Sequence, residues 1–342
     1  MSKSTLSPSL KEWKSLYEEA MAFKKLECWK WAFDSDIFGV QNPENGEIGY
    51  CCILGHFGEV FGLVMYLGTN GLEGYLKIQS GEIGPEDIDV IHTQKCLMVS
   101  FEDRNELKKA DLQVIKDLGL KFRGRKEWPL FRNHQPGYLP WYLTRKDVIF
   151  LTTALQQTIE VSKRLKEDKN LLTPPKEGFY LARVPKMKVK KSIWEDKWLS
   201  PVPIIEEDET FPKVDEVRIQ RIKKKVNQNS NTWEIDFFYS PFVIQDKERP
   251  YFPLICLFVD RNSSLIMGFH LSDSLKYRSE FKEKFLGIIE QLNSFPKEVM
   301  VKRKQVYDLF EPITRRFGTE IHMVETLEEI EEVKESMFEF VD

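Results

Sequence analysis

The chain has 342 residues, 42% hydrophobic and 13% aromatic, with 24 Phe and 8 Trp. That supplies apolar material for roughly two domain cores and excludes a disordered chain, which needs low hydrophobicity and high net charge. Fifty basic against 54 acidic residues leave a formal charge of −4, so no protein-wide basic field attracts nucleic acid, although a local patch is compatible with that balance.

The N-terminal residues lack the apolar stretch of a signal peptide, and Glu12 comes early. The longest strongly apolar run, Pro253 to Val259, is far too short to span a bilayer. Cys28, Cys51, Cys52, Cys96 and Cys256 are an odd number without a Cys-x-x-Cys pair, and the neighbours Cys51 and Cys52 would face opposite sides of a strand. Reduced, mostly buried thiols in a cytoplasmic protein without a membrane partner are the expectation.

A first helix is marked by Ser7 or Ser9 as cap with Glu12, and by an apolar stripe of Leu10, Trp13, Tyr17, Ala20 and Met21. Two short strands joined by a turn around Asn42 to Gly46 follow, then strands near Gly62 to Leu67 and Cys96 to Glu102, with a short helix after Asn70. Leu107, Leu112, Ile115 and Leu118 form the inner face of another helix stopped by Gly119. Thr144 is placed to cap a long helix over about residues 145–168. Residues 1–170 read as one α+β domain. Residues 171–230 carry many prolines, and read as a bridging segment with one or two β-hairpins.

Within that segment Lys176, Arg183, Lys186, Lys188, Lys190 and Lys191 stand against the single Glu177, interleaved with Phe179, Tyr180 and Trp194. Basic residues alternating with aromatics suit phosphate contact and base stacking. Arg183, Lys186, Lys188, Lys190 and Lys191 are therefore the nucleic-acid-binding candidates. Pairing inside the fold, for example with the acidic run at 206–209, is the plainer reading.

Residues 231–342 give the order β-β-β-α-β-α-β-α. Strands end or pass at Asp236 and Asp260, and Phe281, Phe285, Ile288, Ile289 and Leu292 share one helix face. A last helix, expected to be capped by Thr326 and Glu329, bears Leu327, Ile330, Val333 and Met337 among many glutamates. Trp233-Glu234-Ile235-Asp236, Phe258-Val259-Asp260 and Phe295-Pro296 resemble the core of retroviral-type integrases and transposases. The resemblance implies an α/β ribonuclease H-like domain over about 110 residues, with Asp236 as a metal-binding carboxylate. Where such cores carry the second carboxylate, this chain has Val301, Lys302 and Arg303. Two-metal catalysis needs carboxylates bridging ions about 3.5–4 Å apart, and a lysine there opposes it.

The whole chain also resembles a bacterial two-domain group without an established function, through Trp29, Trp31, Asp36, Phe38-Gly39-Val40 and the Pro129 to Trp141 stretch. The Pro-, Tyr- and Trp-rich segment after Gln135 suits either a partner surface or a packed loop. The glycines around Gly68 to Gly74 have no P-loop or dinucleotide spacing. His56, His92, His134, His270 and His322 show no metal-ligand spacing.

The functional expectation is a non-enzymatic binding or interaction protein with a degenerate ribonuclease H-like domain, whose partner is nucleic acid or another protein. No metal site or cofactor is expected. The alternative is a divergent nuclease using Asp236, Asp260 and Glu328 or Glu332, with Mg or Mn required only in that case.

Overall fold

The structure is a computed structural model describing residues 7–83, 89–188, 191–203, 216–246, 248–274 and 276–339. The chain divides into two compact units, Met1–Pro136 with Pro140–Ile204, and Gly137–Leu139 with Ile205–Asp342. Both are mixed α/β, each built on a mixed sheet. Among the described residues no helix is long and apolar enough to cross a membrane.

In the first unit Ser9 caps α1 (Leu10–Leu26). Its hydroxyl accepts from the Glu12 amide, and the Glu12 carboxylate accepts from the Ser9 amide at 2.8 Å, a reciprocal capping box. The buried face is Leu16, Tyr17, Ala20 and Phe23, whereas Leu10 is exposed. The helical spacing holds, but the stripe starts later than expected.

The strands β1 (Phe38–Gln41), β2 (Ile48–Leu54) and β3 (Gly62–Leu67) are followed by the helices α2 (Gly68–Gln79) and α3 (Asp89–Thr93). Next come β4 (Cys96–Glu102), α4 (Lys109–Asp117), β5 (Trp128–His134) and α5 (Arg145–Glu167), the last capped by Thr144 with Asp147. Strands β1 to β5 pair antiparallel in sequence order. Side-chain alternation then assigns each residue to a layer. Cys51, Ile53, Leu63 and Met65 pack with α1 and α5 on one face. Tyr50, Cys52, Val64 and Tyr66 pack with Leu72 and Tyr75 of α2 on the other.

The glycines of α2 serve this packing. A Cβ on Gly71 or Gly74 would stand 2.6 Å from the Lys95 carbonyl oxygen or 2.5 Å from that of Thr93. The segment after Gln135 forms ordered backbone: Asn133 and Trp141 exchange two amide–carbonyl hydrogen bonds of 2.8 and 2.9 Å.

The hairpin expected within residues 171–230 is β6 (Tyr180–Lys188) with β7 (Lys191–Leu199). Rather than bridging two domains, it continues the first sheet, which runs β5-β4-β3-β2-β1-β6-β7. The meander leaves an edge of β1 with unpaired backbone groups, and β6 fills that edge in parallel register, Gly39 beside Ala182.

The second unit contains α6 (Glu216–Lys225), β8 (Asn227–Gln228), β9 (Thr232–Tyr239), β10 (Leu254–Asp260), β11 (Leu265–Ser272), α7 (Tyr277–Leu292) and β12 (Ser294–Phe295). It closes with β13 (Glu298–Val301), α8 (Lys304–Phe317), β14 (Glu320–Met323) and α9 (Glu328–Glu339). Its main sheet runs β11-β10-β9-β13-β14, with β8 and β12 paired separately. The first three strands pair antiparallel, and β13 and β14 join in parallel. Trp233, Ile235 and Phe237 meet Phe281 and Phe285 of α7 and Phe310 of α8 on one face. Phe238, Ile255, Leu257 and Val259 meet Leu327 and Ile330 on the other.

All five cysteines are free and buried, and burial pushes the thiols of Cys28, Cys51 and Cys96 up to about 12. Thiolate, not thiol, is the nucleophile. Titration of the native protein with a disulfide reagent such as DTNB should therefore give negligible colour, and all five thiols should react once the chain is unfolded.

Candidate functional site

Strand alternation puts Glu234, Asp236 and Phe238 on the face of β9 covered by α9. Asp236 is 1% exposed and Glu234 fully buried. Buried carboxylates are costly unless paired or hydrogen-bonded, and both here are engaged.

The Asp236 carboxylate holds two cations. Arg303, just before α8, donates to Oδ1 through Nε at 3.1 Å and Nη2 at 2.7 Å. Lys334, in α9, donates to Oδ2 from Nζ at 2.9 Å. The flanking aromatics of β9 support both: the Arg303 guanidinium lies 5.1 Å from the Phe237 ring centroid, and the Lys334 ammonium 4.6 Å from that of Phe238. Cation–π contact of this kind is attractive.

Glu234 serves α9 differently. Leu327 directly precedes this helix and has no side-chain oxygen to cap it, so the expected Thr326–Glu329 box is replaced by a group from the sheet. Glu234 Oε2 accepts from the Ile330 amide at 3.1 Å. Burial raises the Glu234 pKa above the usual range, while the Ile330 amide and the Arg261 charge, 3.8 Å away, oppose the rise.

The other sequence candidates lie apart. Asp260 is opposite Trp233 in the β9–β10 register, whereas Asp236 is opposite Leu257. Three residues of strand separate them by about 10 Å, and alternation turns them to opposite faces. Asp260 Oδ1 accepts from the Asn262 amide at 2.9 Å and the Ser263 amide at 3.0 Å, and Oδ2 from the Asn231 side chain. It is a turn carboxylate. Glu328 faces Arg261 at 3.3 Å, and Glu332 lies on the exposed side of α9. Lys302, the residue expected beside Asp236, pairs instead with Glu331 at 3.1 Å, and its neighbour Arg303 takes that place.

Asp236, Asp260, Glu328 and Glu332 thus do not converge, and the oxygens of Asp236 face cations. The magnesium or manganese implied by the integrase resemblance does not fit these residues. Among the described residues no group of three or more His, Cys, Asp and Glu side chains is placed to hold a metal ion.

The basic hairpin is also compensated from within. Arg183 is buried, donating from Nε to Gln157 at 3.0 Å and from Nη1 to Asp196 at 2.6 Å. Arg164 joins the same Asp196 carboxylate. Lys186 pairs with Glu195 at 3.1 Å, and Lys197 with its other oxygen at 2.9 Å. Lys188 and Lys191 close the hairpin as backbone partners. Lys190 and the acidic run at 206–209 lie outside the described residues. Arg183 is therefore not a surface contact residue; its counter-ion is Asp196 and that of Lys186 is Glu195, both on the facing strand.

Residues 13–183, half of the chain, match the family described as Domain of unknown function (DUF7309). The chain belongs to the DUF7309 family. Residues 218–338 match a second model, Domain of unknown function (DUF6930), so this member joins two such domains. No curated protein matches the chain. Among solved structures it is similar to the HTLV-2 integrase catalytic core domain in complex with magnesium, a trimeric form, at 15% identity and a TM-score of 0.24. That match covers 32% of this chain and 66% of the integrase chain, a likeness too distant to bear on activity.

Sequence reasoning named Arg303 at the missing carboxylate's place without pairing it to Asp236, and passed over Lys334. The signals were present: a basic run directly after β13, and a lone Lys334 in a glutamate-rich helix, four residues beyond the buried Ile330.

Two outcomes follow from this geometry. Lys334→Ala leaves Asp236 buried with one partner and should cost about 3 kcal/mol in urea unfolding, most of it restored by Lys334→Arg. Glu234→Gln keeps an oxygen for the Ile330 amide and removes a buried charge. Because the folded-state pKa of Glu234 is raised from 4.5, the native state holds its proton more tightly. Wild-type stability should therefore fall relative to Glu234→Gln as pH rises from 4.5 through the raised value, and stay lower above it. Urea midpoints of the two proteins compared across that range read the effect.

Proposed function

We propose that the second unit is a ribonuclease H-like domain whose metal centre is replaced by an internal ion triad, and that the chain works as a non-catalytic interaction protein. The observation carrying this reading is the occupation of both Asp236 oxygens by Arg303 and Lys334. These cations come from the segment after β13 and from the last helix, where the integrase resemblance calls for two further carboxylates. The strand order β11-β10-β9-β13-β14, antiparallel over its first three strands and parallel thereafter, supports the fold assignment.

A divalent ion at Asp236 would meet a guanidinium and an ammonium at close range. Each pair of like unit charges 4 Å apart costs about 4 kcal/mol near a protein surface, and a divalent ion doubles that. The interaction reading favours a protein partner over nucleic acid, because Arg183 and Lys186 are already held by Asp196 and Glu195.

The test incubates purified protein with labelled single- and double-stranded DNA and RNA in Mn²⁺, following anisotropy over a salt series and then probe length. Intact probes and no salt-sensitive binding are expected. Cleavage that disappears in Asp236→Asn would overturn the non-catalytic reading. Binding lost on replacing Lys186, Lys188 and Lys191 would overturn the preference for a protein partner.

A further inference from the structure

The sheet of the second unit is covered unevenly. Among the described residues, helices α7 and α8 pack on one face, and α9 on the other. Helix α9 packs over β9 and β10, and the β11 row of that face stays about half-exposed among the described residues. Register places Leu271 beside Ile255, Phe269 beside Leu257 and Ile266 beside Val259, all on the α9 side. Ile266 is 48%, Phe269 57% and Leu271 46% exposed. Together with Val333 and Met337 of α9 they line a groove of about 400 Å³, floored by Ile255 and Leu257.

We infer that this groove docks a basic amphipathic helix of a protein partner; the inference rests on the interaction reading above. Shape argues for a helix. From Ile266 to Leu271 the strand rises about 17 Å, which is about three helical turns, and the groove runs beside α9 where a second helix would complete the layer. A strand added to the free edge of β11 would pair its backbone and leave these side chains uncovered. Grooves of this kind read apolar residues spaced at i, i+3, i+4 and i+7.

Charge argues for a basic one. Helix α9 carries Glu328, Glu329, Glu331, Glu332 and Glu335 against Lys334 alone, and Lys334 is committed to Asp236. At 100° per residue Glu329 and Glu332 follow Val333 round the helix on the side away from Lys334. Glu331 falls on the opposite flank, with Lys302. Helical spacing therefore sets Glu329 and Glu332 beside the groove-lining Val333, and rim charges steer and select partners.

The experiment measures anisotropy of a labelled Leu–Lys amphipathic helix of about five turns, beside a Leu–Glu helix of the same pattern and a scrambled Leu–Lys peptide, without Mn²⁺. Saturable binding of the Leu–Lys helix alone is expected, lost in Phe269→Asp and Leu271→Lys, and weakened about tenfold or more in Glu329→Lys/Glu332→Lys. Both groove side chains are about half exposed, so these variants should unfold close to the wild-type urea midpoint. Equal binding of the scrambled peptide, no binding, or binding indifferent to Phe269→Asp would overturn the inference. So would sedimentation showing a dimer that Phe269→Asp dissociates, since the occupant would then be a second copy. The substitutions leave the Asp236 triad intact, so Mn²⁺-dependent cleavage speaks against the non-catalytic reading, and failure of the wild-type protein to bind the Leu–Lys helix speaks against the groove alone.

Discussion

Two carboxylates on one face of one strand hold the last helix of the second unit. Glu234 and Asp236 are two residues apart on β9, about 6.6 Å of strand. Their partners on α9, the Ile330 amide and the Lys334 ammonium, are four residues apart, about 6.0 Å of helix. Because those lengths nearly agree, both carboxylates engage the helix at once while Leu327 and Ile330 fill the apolar space around them. Sliding α9 by one residue would take Lys334 away from Asp236 and leave a buried charge without one of its cations, a costly arrangement. The apolar contacts supply adhesion, and the two carboxylates supply register.

That same clamp decides the chemistry open to the strand. A carboxylate at Asp236 in a cavity lined by others could gather divalent ions. Placed between Arg303 and Lys334, it is a structural counter-ion instead. It also decides what α9 leaves bare. A helix fastened over β9 and β10 cannot cover β11, so one strip of the sheet keeps its apolar side chains at the surface.

In the first unit, too, charge is used internally. Asp196 on β7 gathers Arg183 and Arg164, tying the added hairpin to α5. Asp111 of α4 and Arg132 of β5 form a two-pronged, mostly buried pair at 2.8 Å. Each fastens a peripheral element to the sheet or to a core helix. A near-neutral composition is consistent with such use, since many of the cations and anions answer one another within the fold.

What the sequence determined by itself is what depends on neighbours a few residues away. The Ser9–Glu12 and Thr144–Asp147 caps lie within one helical turn, the opposite facing of Cys51 and Cys52 follows from strand alternation, and the Asp260 turn closes on Asn262 and Ser263. The helices and strands carrying those patterns were legible for the same reason. Tertiary structure alone decided the rest. Asp236 finds Arg303 67 residues away and Lys334 98 residues away, and Glu234 caps a helix 96 residues downstream. Which of Lys302 and Arg303 would face Asp236 depended on the turn out of β13. Whether the hairpin was a bridge or an added pair of strands depended on the open edge of β1. Pairing across such separations is set by which surfaces the folded layers bring together, and no local pattern in the chain encodes it.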